Sequence, residues 1–201
     1  QAMLESAEIQ SDHLSENHVS FILAPRLNAI GRLADANPVV EFLITKNITD
    51  ARLFAAKLEG LNARRKLLCD QVFASAQAQI EREPGLLNNP ALILEHPEWP
   101  AGVIGIVASR LAELYHLPVI LFSTPPGQIA RGSARSIEGI NITEVISEHQ
   151  ELLVSFGGHP MAAGLSIQTE RIPEFRRALL RNLSFHYPAV FLSQKLVIDD
   201  F

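Results

Sequence analysis

One long stripe of apolar side chains constrains the fold of this 201-residue chain more than any other feature. Between Thr49 and Glu83, apolar residues recur at intervals of three, four or seven positions, which places them on one face of an α-helix. They are Phe54, Leu58, Leu61, Leu68, Val72, Ala76 and Ile80. Such a helix extends about 50 Å at 1.5 Å per residue, and Pro84-Gly85 ends it. Because its middle is too polar for complete burial, we expect it to connect two parts of the protein.

The pattern after Pro84 changes to short apolar strands that alternate with helices. Strands are predicted over 91–96, 117–123 and 129–136. Helices are predicted over 102–116, 141–155 and 172–186. The segment AAGLSIQ (162–168) fits either a strand or the start of a helix. The second strand is wholly apolar, which is typical of the middle of a sheet, so this region is predicted to be an α/β layer.

The first 48 residues carry a weaker pattern. The segment from Val19 to Pro38 begins with a strand-like alternation that Pro25 interrupts, and it continues as short helical turns or loop. The following VVEFLITKN (39–47) is predicted to be helical.

The composition indicates a packed core, because 47% of the residues are apolar and 19% are charged. The net charge of −5 argues against a wholly basic surface, although a local basic patch can still bind a polyanion. The single Cys69 excludes an internal disulfide and suits a reducing compartment.

The chain shows no sign of a membrane or secretory segment. No apolar run approaches the ~20 residues of a membrane span, and the first residues lack a secretory leader pattern. We therefore expect a cytoplasmic protein with no membrane partner. Gln1-Ala2 before a methionine and the abrupt end at Phe201 suggest a segment of a longer protein.

The segment ARGSARSIEG is a candidate anion site. In an extended strand Ser133 and Arg135 point to the same face, beside a glycine that allows close approach. A hydroxyl and a guanidinium placed in this way can hold a phosphate by charge-assisted hydrogen bonds. An ordinary edge strand with solvated arginines fits the sequence equally well.

Two further segments leave similar alternatives. In APRLNAIGRL, Arg26, Asn28 and Arg32 are suited to hydrogen bonding, either to the backbone or to a ligand. In PAGVIG, Gly102 and Gly105 fit either a phosphate at a helix N-terminus or tight packing of a helix on a sheet.

The segment FGGHP interrupts an apolar run with Gly157, Gly158 and His159. It fits a tight turn, or a place where a ligand approaches the backbone. His159 has no carboxylate or second histidine at ligand spacing, which argues against a metal site. The sequence also lacks a Gly-x-Ser-x-Gly motif or a carboxylate–histidine cluster, so we expect no complete catalytic centre in this chain.

Four segments, taken in order, resemble the RecJ family of single-stranded-DNA-specific exonucleases in the DHH superfamily. They are APRLNAIGRL (24–33), WPAGVIGIVASRLAELYHLPVIL (99–121), GSARSIEGINI (132–142) and FGGHPMAAGLSI (156–167). The resemblance extends from about Phe21 to Arg181. The Gly-Gly-His at 157–159 is similar to the signature of the DHH-associated domain of that family.

The resemblance implies an α/β fold class, with a long connecting helix followed by a mixed-sheet DHH-associated domain that has helices on its faces. It also implies the following parts: the end of the DHH-side region with the Arg-Leu-Asn motif (1–48), the connecting helix (49–85), the DHH-associated domain (86–187) and a linker or first strand of an OB-fold (188–201).

The function that the resemblance implies is the substrate-binding half of a 5′→3′ single-stranded-DNA exonuclease that acts in DNA repair and recombination. In that family a preceding DHH domain binds Mn²⁺ or Mg²⁺. That domain is missing here, so we expect no metal or other cofactor in this chain and no activity from the chain alone. The implied partners are single-stranded DNA with a 5′ phosphate and a single-strand-binding protein or helicase.

Site residues follow from the resemblance by position. The residues that it implies as contacts to DNA or its phosphates are Arg26, Asn28, Arg32, Ser133, Arg135, Gly157, Gly158 and His159. Ser133 and Arg135 would hold the 5′-terminal phosphate. Arg26 would contact the scissile or a neighbouring phosphate, and His159 would be a cleft contact rather than a metal ligand.

Two other functions remain open at this point. One is a nanoRNase or cyclic-dinucleotide phosphodiesterase of the same superfamily, which has a similar Gly-Gly-His segment. The other is a non-catalytic nucleic-acid-binding module like the associated domain of alanyl-tRNA synthetase, which would recognise tRNA.

Overall fold

A computed structural model describes residues 1–10 and 14–187 of the chain. The predicted linker or OB-fold strand at 188–201 therefore lies outside the described residues. The described residues divide into two compact units, the first ending at Asp70 and the second beginning at Gln71. The long helix contributes residues to both.

The first unit is helical in its described part. Its elements are α1 (Ala2–Ser6), a π-helical segment (His18–Leu23), α2 (Ala24–Leu33), α3 (Asn37–Ile44) and the beginning of α4 (Ile48–Arg82). The strand-like start predicted at Val19 is wrong, because that segment is helical and continues into α2. Pro25 does not interrupt it, since it lies in the first turn of α2, where a missing N–H has no intrahelical partner to lose.

The two clearest helix predictions for this part of the chain are confirmed. The helix α4 is 35 residues long and differs by one residue at each end from the predicted 49–83. The helix predicted over 39–47 is α3, which begins earlier, at Asn37, and ends at Ile44.

The second unit is a five-stranded mixed sheet with helices packed on it. Its elements are β1 (Leu92–His96), α5 (Ala101–Tyr115), β2 (Val119–Ser123), β3 (Ala130–Arg135), α6 (Ile142–Ser147), β4 (Leu153–His159), β5 (Ala162–Ile167) and α7 (Ile172–His186). The strand order is β1-β2-β3-β5-β4, with β1 and β2 parallel and the other pairs antiparallel. The predicted α/β fold class is confirmed.

Two local predictions in this unit are wrong. The helix predicted over 141–155 ends at Ser147, and a short 3-10 turn leads into β4 at Leu153. For the Gly-Gly-His segment, where a tight turn was one of the two alternatives, the structure has the end of β4 instead, and the turn itself is only Pro160-Met161. Proline suits that position because it has no N–H to donate to a strand ladder. The open alternative at 162–168 is resolved as strand β5.

The main core lies on one face of the sheet, under α6 and α7. Its largest members are Phe122 of β2 and Phe175 of α7, whose rings meet edge to face with centroids 6.2 Å apart. Leu165 of β5 and Leu179 of α7 belong to the same buried cluster. On the opposite face, α5 packs against β2 and β3. The sheet is therefore covered by helices on both sides, but α5 lies at the β2–β3 side of its face.

Candidate nucleic-acid interface

Three rows of side chains cross β3, β5 and β4 on the face of the sheet that carries α5. The two strand registers align them as Arg131–Ser166–Ser155, Ser133–Gly164–Gly157 and Arg135–Ala162–His159. Because side chains alternate along a strand, all nine residues point to this face. We call these nine residues the open sheet face. It brings together four of the predicted DNA contacts: Ser133, Arg135, Gly157 and His159.

The small residues of β3 fix which side of that strand faces the core. Ala130 and Ala134 are fully buried, and Gly132 lies between them in the same alternation. A Cβ added at Gly132 would lie 2.6 Å from Cε1 of Phe122. A register slip of one residue would turn the arginines of β3 into this core, so the packing forces them onto the open sheet face.

Arg135 is held against α5 by hydrogen bonds. Its Nε donates to Oγ of Ser109 (3.0 Å), and its Nη1 donates to Oγ of Ser133 (3.0 Å) and to the carbonyl of Ala134 (2.7 Å). The Ser109 hydroxyl in turn donates to the carbonyl of Gly105 (3.1 Å). The guanidinium is thus oriented before any ligand arrives, and Ser133 accepts from it while keeping a hydroxyl proton to donate to an anion.

Gly105 allows this arrangement. A Cβ added there would lie 2.8 Å from Nη2 of Arg135 and 2.8 Å from Oγ of Ser133. Of the two alternatives that the sequence left for Gly105, the structure shows helix–sheet packing, directly over the candidate site. Sequence reasoning missed Ser109, although its position one helical turn after Gly105 places it on the same face of α5.

Gly157 and Gly158 are neighbours with different surroundings. A Cβ added at Gly158 would collide with the carbonyl oxygen of Ala162 and would lie 2.6 Å from Cα of Ala163. Gly158 points away from the open sheet face, unlike the other predicted DNA contacts of this unit. A Cβ added at Gly157, or at its cross-strand partner Gly164, meets nothing within 4 Å. Packing therefore requires glycine at 158 and not at 157 or 164.

The hairpin that carries His159 is anchored at its tip. The hydroxyl of Thr143 donates to the carbonyl of His159 (2.7 Å), and the N–H of Ile142 donates to the carbonyl of Pro160 (3.0 Å). The N–H of Ser136 donates to the carbonyl of Met161 (2.9 Å). The side chain of His159 is exposed at the end of its row, about 10 Å from the Arg135 strand at two interstrand spacings.

The predicted contacts of the first unit lie on α2 and are separated from one another. The side chain of Arg26 is 16% exposed, donates from Nε to Glu59 of α4 and donates from Nη1 to the carbonyl of Ile22 (2.8 Å). Asn28 and Arg32 are exposed and lie four residues apart, on a different side of the helix from Arg26. The structure therefore brings Asn28 and Arg32 together but not Arg26.

The described residues do not fit a divalent-metal site. No group of three or more histidine, cysteine, aspartate or glutamate side chains converges within residues 1–10 and 14–187. The open sheet face carries one histidine, two arginines and no carboxylate. We therefore assign no metal-dependent step to these residues. In the same described ranges, no helix combines the length and the apolar character that crossing a membrane requires.

Comparison with known proteins agrees with the fold. Residues 88–184 match the sequence model of the DHHA1 domain family. The single-stranded-DNA-specific exonuclease RecJ of Bacillus subtilis (strain 168) is 39% identical over 166 residues, which are 82% of this chain and 21% of that protein. RecJ of Dickeya dadantii (strain 3937) is 38% identical over 187 residues, covering 88% of this chain and 32% of that protein.

A solved structure gives the same result. The crystal structure of RecJ in complex with Mn²⁺ from Thermus thermophilus superposes with a TM-score of 0.80 at 30% identity, covering 91% of this chain and 26% of that one. The chain thus spans about a fifth to a third of the length of these relatives. On these grounds residues 88–184 are a DHHA1 domain, and the chain is a relative of the RecJ exonucleases over most of its length.

Proposed function

We propose that this chain is the DNA-holding part of a RecJ-like 5′→3′ single-stranded-DNA exonuclease. One observation carries the proposal: strand register places Ser133, Arg135, Gly157 and His159 in two adjacent rows of the open sheet face. In this proposal the face binds the 5′ end of the strand, and phosphodiester hydrolysis requires a metal-binding domain supplied by another part of the protein.

The proposed phosphate contact follows from the chemistry of Ser133 and Arg135 on β3. Arg135 presents a guanidinium oriented by Ser109 and Ser133, and the hydroxyl of Ser133 donates a further hydrogen bond. Charge-assisted bonds of this kind are about twice as strong as neutral ones. Anchoring the 5′-terminal phosphate here gives the enzyme its polarity, because degradation then starts from the bound end.

The glycines of the middle row allow the strand to approach. Because no atom lies within 4 Å of a Cβ added at Gly157 or Gly164, a sugar–phosphate backbone can lie directly on β4 and β5 at these positions. His159, at the exposed end of the next row, is a donor to the DNA rather than a metal ligand.

The roles of the remaining predicted contacts stay proposals. Asn28 and Arg32 form a small exposed polar pair on α2, suited to a phosphate. Arg26 reaches a phosphate only if it gives up or shares its ion pair with Glu59. Gly158 acts on the DNA indirectly, because it lets β4 and β5 approach closely enough to present Gly157.

The metal belongs to the wider enzyme in this proposal. The related Thermus thermophilus RecJ has been solved in complex with Mg²⁺ and with Mn²⁺. Divalent ions held by that other part of the enzyme would supply the activation of water and the stabilisation of the leaving oxygen. This chain contributes binding and orientation of the DNA, so the purified chain is expected to bind single strands without cleaving them, even with Mn²⁺ added.

The division into parts also remains a proposal: a DHH-side region at 1–48, a connecting helix at 49–85 and the DHH-associated domain at 86–187. We further propose a cytoplasmic location, where the DNA substrate is found. The names of the relatives favour the exonuclease over a cyclic-dinucleotide phosphodiesterase or a tRNA-binding module.

Binding measurements on the 201-residue chain test the proposal. Fluorescence anisotropy should give tighter binding to a 5′-phosphorylated single strand than to the same strand with a 5′ hydroxyl. Unlabelled cyclic dinucleotide or tRNA should compete more weakly than unlabelled single-stranded DNA. Equal affinity for both ends, or stronger competition by tRNA, would contradict the proposal.

A further inference from the structure

The third row of the open sheet face, Arg131–Ser166–Ser155, has no role in the function proposed above. It contains a guanidinium and two hydroxyl groups, the same kinds of group that Arg135 and Ser133 present farther along β3. Arg131 and Ser155 are exposed, and Ser166 between them is partly exposed. Strand register places this row next to Ser133–Gly164–Gly157, two residues farther along each strand.

Arg131 differs from Arg135 in how it is held. Arg135 is partly buried and bonded to Ser109 and Ser133. Arg131 is exposed, and within the described residues its side chain makes no ion pair or hydrogen bond. A long cationic side chain without a protein partner, on the face that holds the candidate phosphate site, is available to a second anionic group.

The spacing of the rows suits a polyanion. Two residues of a strand cover about 7 Å. Phosphates in one strand of B-form DNA follow one another at about 3.4 Å along the axis, and a more extended single strand separates them further. A strand held at Ser133 and Arg135 can therefore place another of its phosphates beside Arg131.

We infer that Arg131, Ser155 and Ser166 form a second phosphate subsite, which binds a non-terminal phosphate of the same DNA strand. The inference rests on the proposed function, because it requires a nucleic acid on the open sheet face. It adds a contact that holds the strand beyond its 5′ end. Arg131 supplies the charge, and the two serines donate hydrogen bonds from the neighbouring strands.

The test compares Arg131→Gln with Arg177→Gln in the 201-residue chain. Arg177 is also exposed, but it lies on α7, which packs on the other face of the sheet. With a 5′-phosphorylated single strand, Arg131→Gln should weaken binding about tenfold, as expected for a hydrogen bond to a charged group. It should also reduce the slope of log K against log salt by about 0.7, the value for one phosphate contact on a single strand. Arg177→Gln should change neither.

A scan of the DNA identifies the phosphate. Each phosphate is replaced in turn by an uncharged methylphosphonate, and each probe is measured against the original chain and Arg131→Gln. One non-terminal replacement should weaken binding to the original chain and have no effect on binding to Arg131→Gln. If the effect of Arg131→Gln is coupled only to the 5′-terminal phosphate, or to no phosphate, the second subsite is overturned.

Two substitutions that each introduce a negative charge keep the test independent of Arg131 itself. Ser155→Glu places a carboxylate in the row and should weaken binding by more than tenfold, whereas Ser184→Glu, exposed on α7, should not. If the original chain prefers the 5′-phosphorylated strand but neither Arg131→Gln nor Ser155→Glu reduces affinity, the subsite is wrong and the proposed function stands. If the original chain binds no single strand, both are wrong.

Discussion

The two faces of β4 and β5 use glycine for different reasons. On the core face, Gly158 is needed because a Cβ would collide with the neighbouring strand at Ala162. On the open sheet face, Gly157 and Gly164 have empty space above them. Glycine costs chain entropy on folding, and the packing of the described residues does not explain that cost at Gly157 or Gly164. The comparison separates a glycine that the packing of the hairpin requires from two glycines that it does not, and the proposed function assigns those two to contact with DNA.

The largest expected effect comes from alanine at the two adjacent glycines. Gly158→Ala should lower the free energy of unfolding by about 3 kcal/mol, because the clash involves backbone atoms that cannot move aside. Gly157→Ala should change it by less than about 0.5 kcal/mol, as at an unconstrained surface site. Urea denaturation of both variants provides the measurement, and equal stabilities would break the comparison.

The next effect concerns the candidate anion site, Ser133 and Arg135, beside those glycines. Arg135→Ala removes a guanidinium that donates charge-assisted hydrogen bonds, worth about 2 kcal/mol or roughly thirtyfold in affinity. The loss should appear only for the 5′-phosphorylated strand, so the preference for that strand should disappear. The ratio of the two dissociation constants is the readout, and an unchanged ratio would remove Arg135 from the 5′-phosphate site.

Gly157→Val tests the open face at the point of closest approach. The added side chain occupies the space above β4 without meeting protein atoms near its Cβ, so the free energy of unfolding should hardly change. The free energy of binding to the single strand should become less favourable by about 1 kcal/mol or more, because the extra methyl groups would displace the DNA backbone from β4. Valine at 157 that left DNA affinity intact would show that the strand does not lie on β4.

The smallest expected effect lies outside the sheet, at Arg26. Arg26→Gln and Glu59→Gln each remove the same ion pair, and each should lower the free energy of unfolding by about 0.5 to 1 kcal/mol. If Arg26 also contacts DNA, Arg26→Gln should weaken DNA binding. Glu59→Gln should leave DNA binding unchanged, because it releases the guanidinium of Arg26 and does not remove it. Parallel changes in affinity for the two variants would make Arg26 a structural residue only.

A periodicity repeated over many turns makes a helix predictable from the sequence. The secondary structure of short, interrupted apolar runs is harder to predict. The stripe of α4 predicted a long helix, because every turn repeats the same signal, and Thr49 and Pro84-Gly85 predicted its two ends to within a residue. The run after Ser147 was predicted as helix, since the apolar residues at 152–154 fit either period. The residues from Leu153 form strand β4 because they pair with β5, and the local apolar pattern of the sequence does not reveal that pairing.

The candidate site was predicted in its residues but not in its architecture. Alternation alone placed Ser133 and Arg135 on one face of β3. It could not show that Gly157 and His159 lie in the same rows as Ser133 and Arg135, because that depends on β5, a strand later in the chain, pairing between β3 and β4. Ser109 and Gly105 were likewise invisible as partners of Arg135, since that contact depends on where α5 crosses the sheet.

NMR titration of the 22.1 kDa chain with a 5′-phosphorylated single strand tests the central claim most directly. The account predicts that the largest backbone amide shifts occur at Ser133, Gly157, His159 and Gly164, with little change along α7. The same strand with a 5′ hydroxyl should give weaker shifts at Ser133 in particular. Shifts that cluster on α7 instead, or that are the same for both strands, would contradict the claim that the open sheet face holds the 5′ end of the DNA.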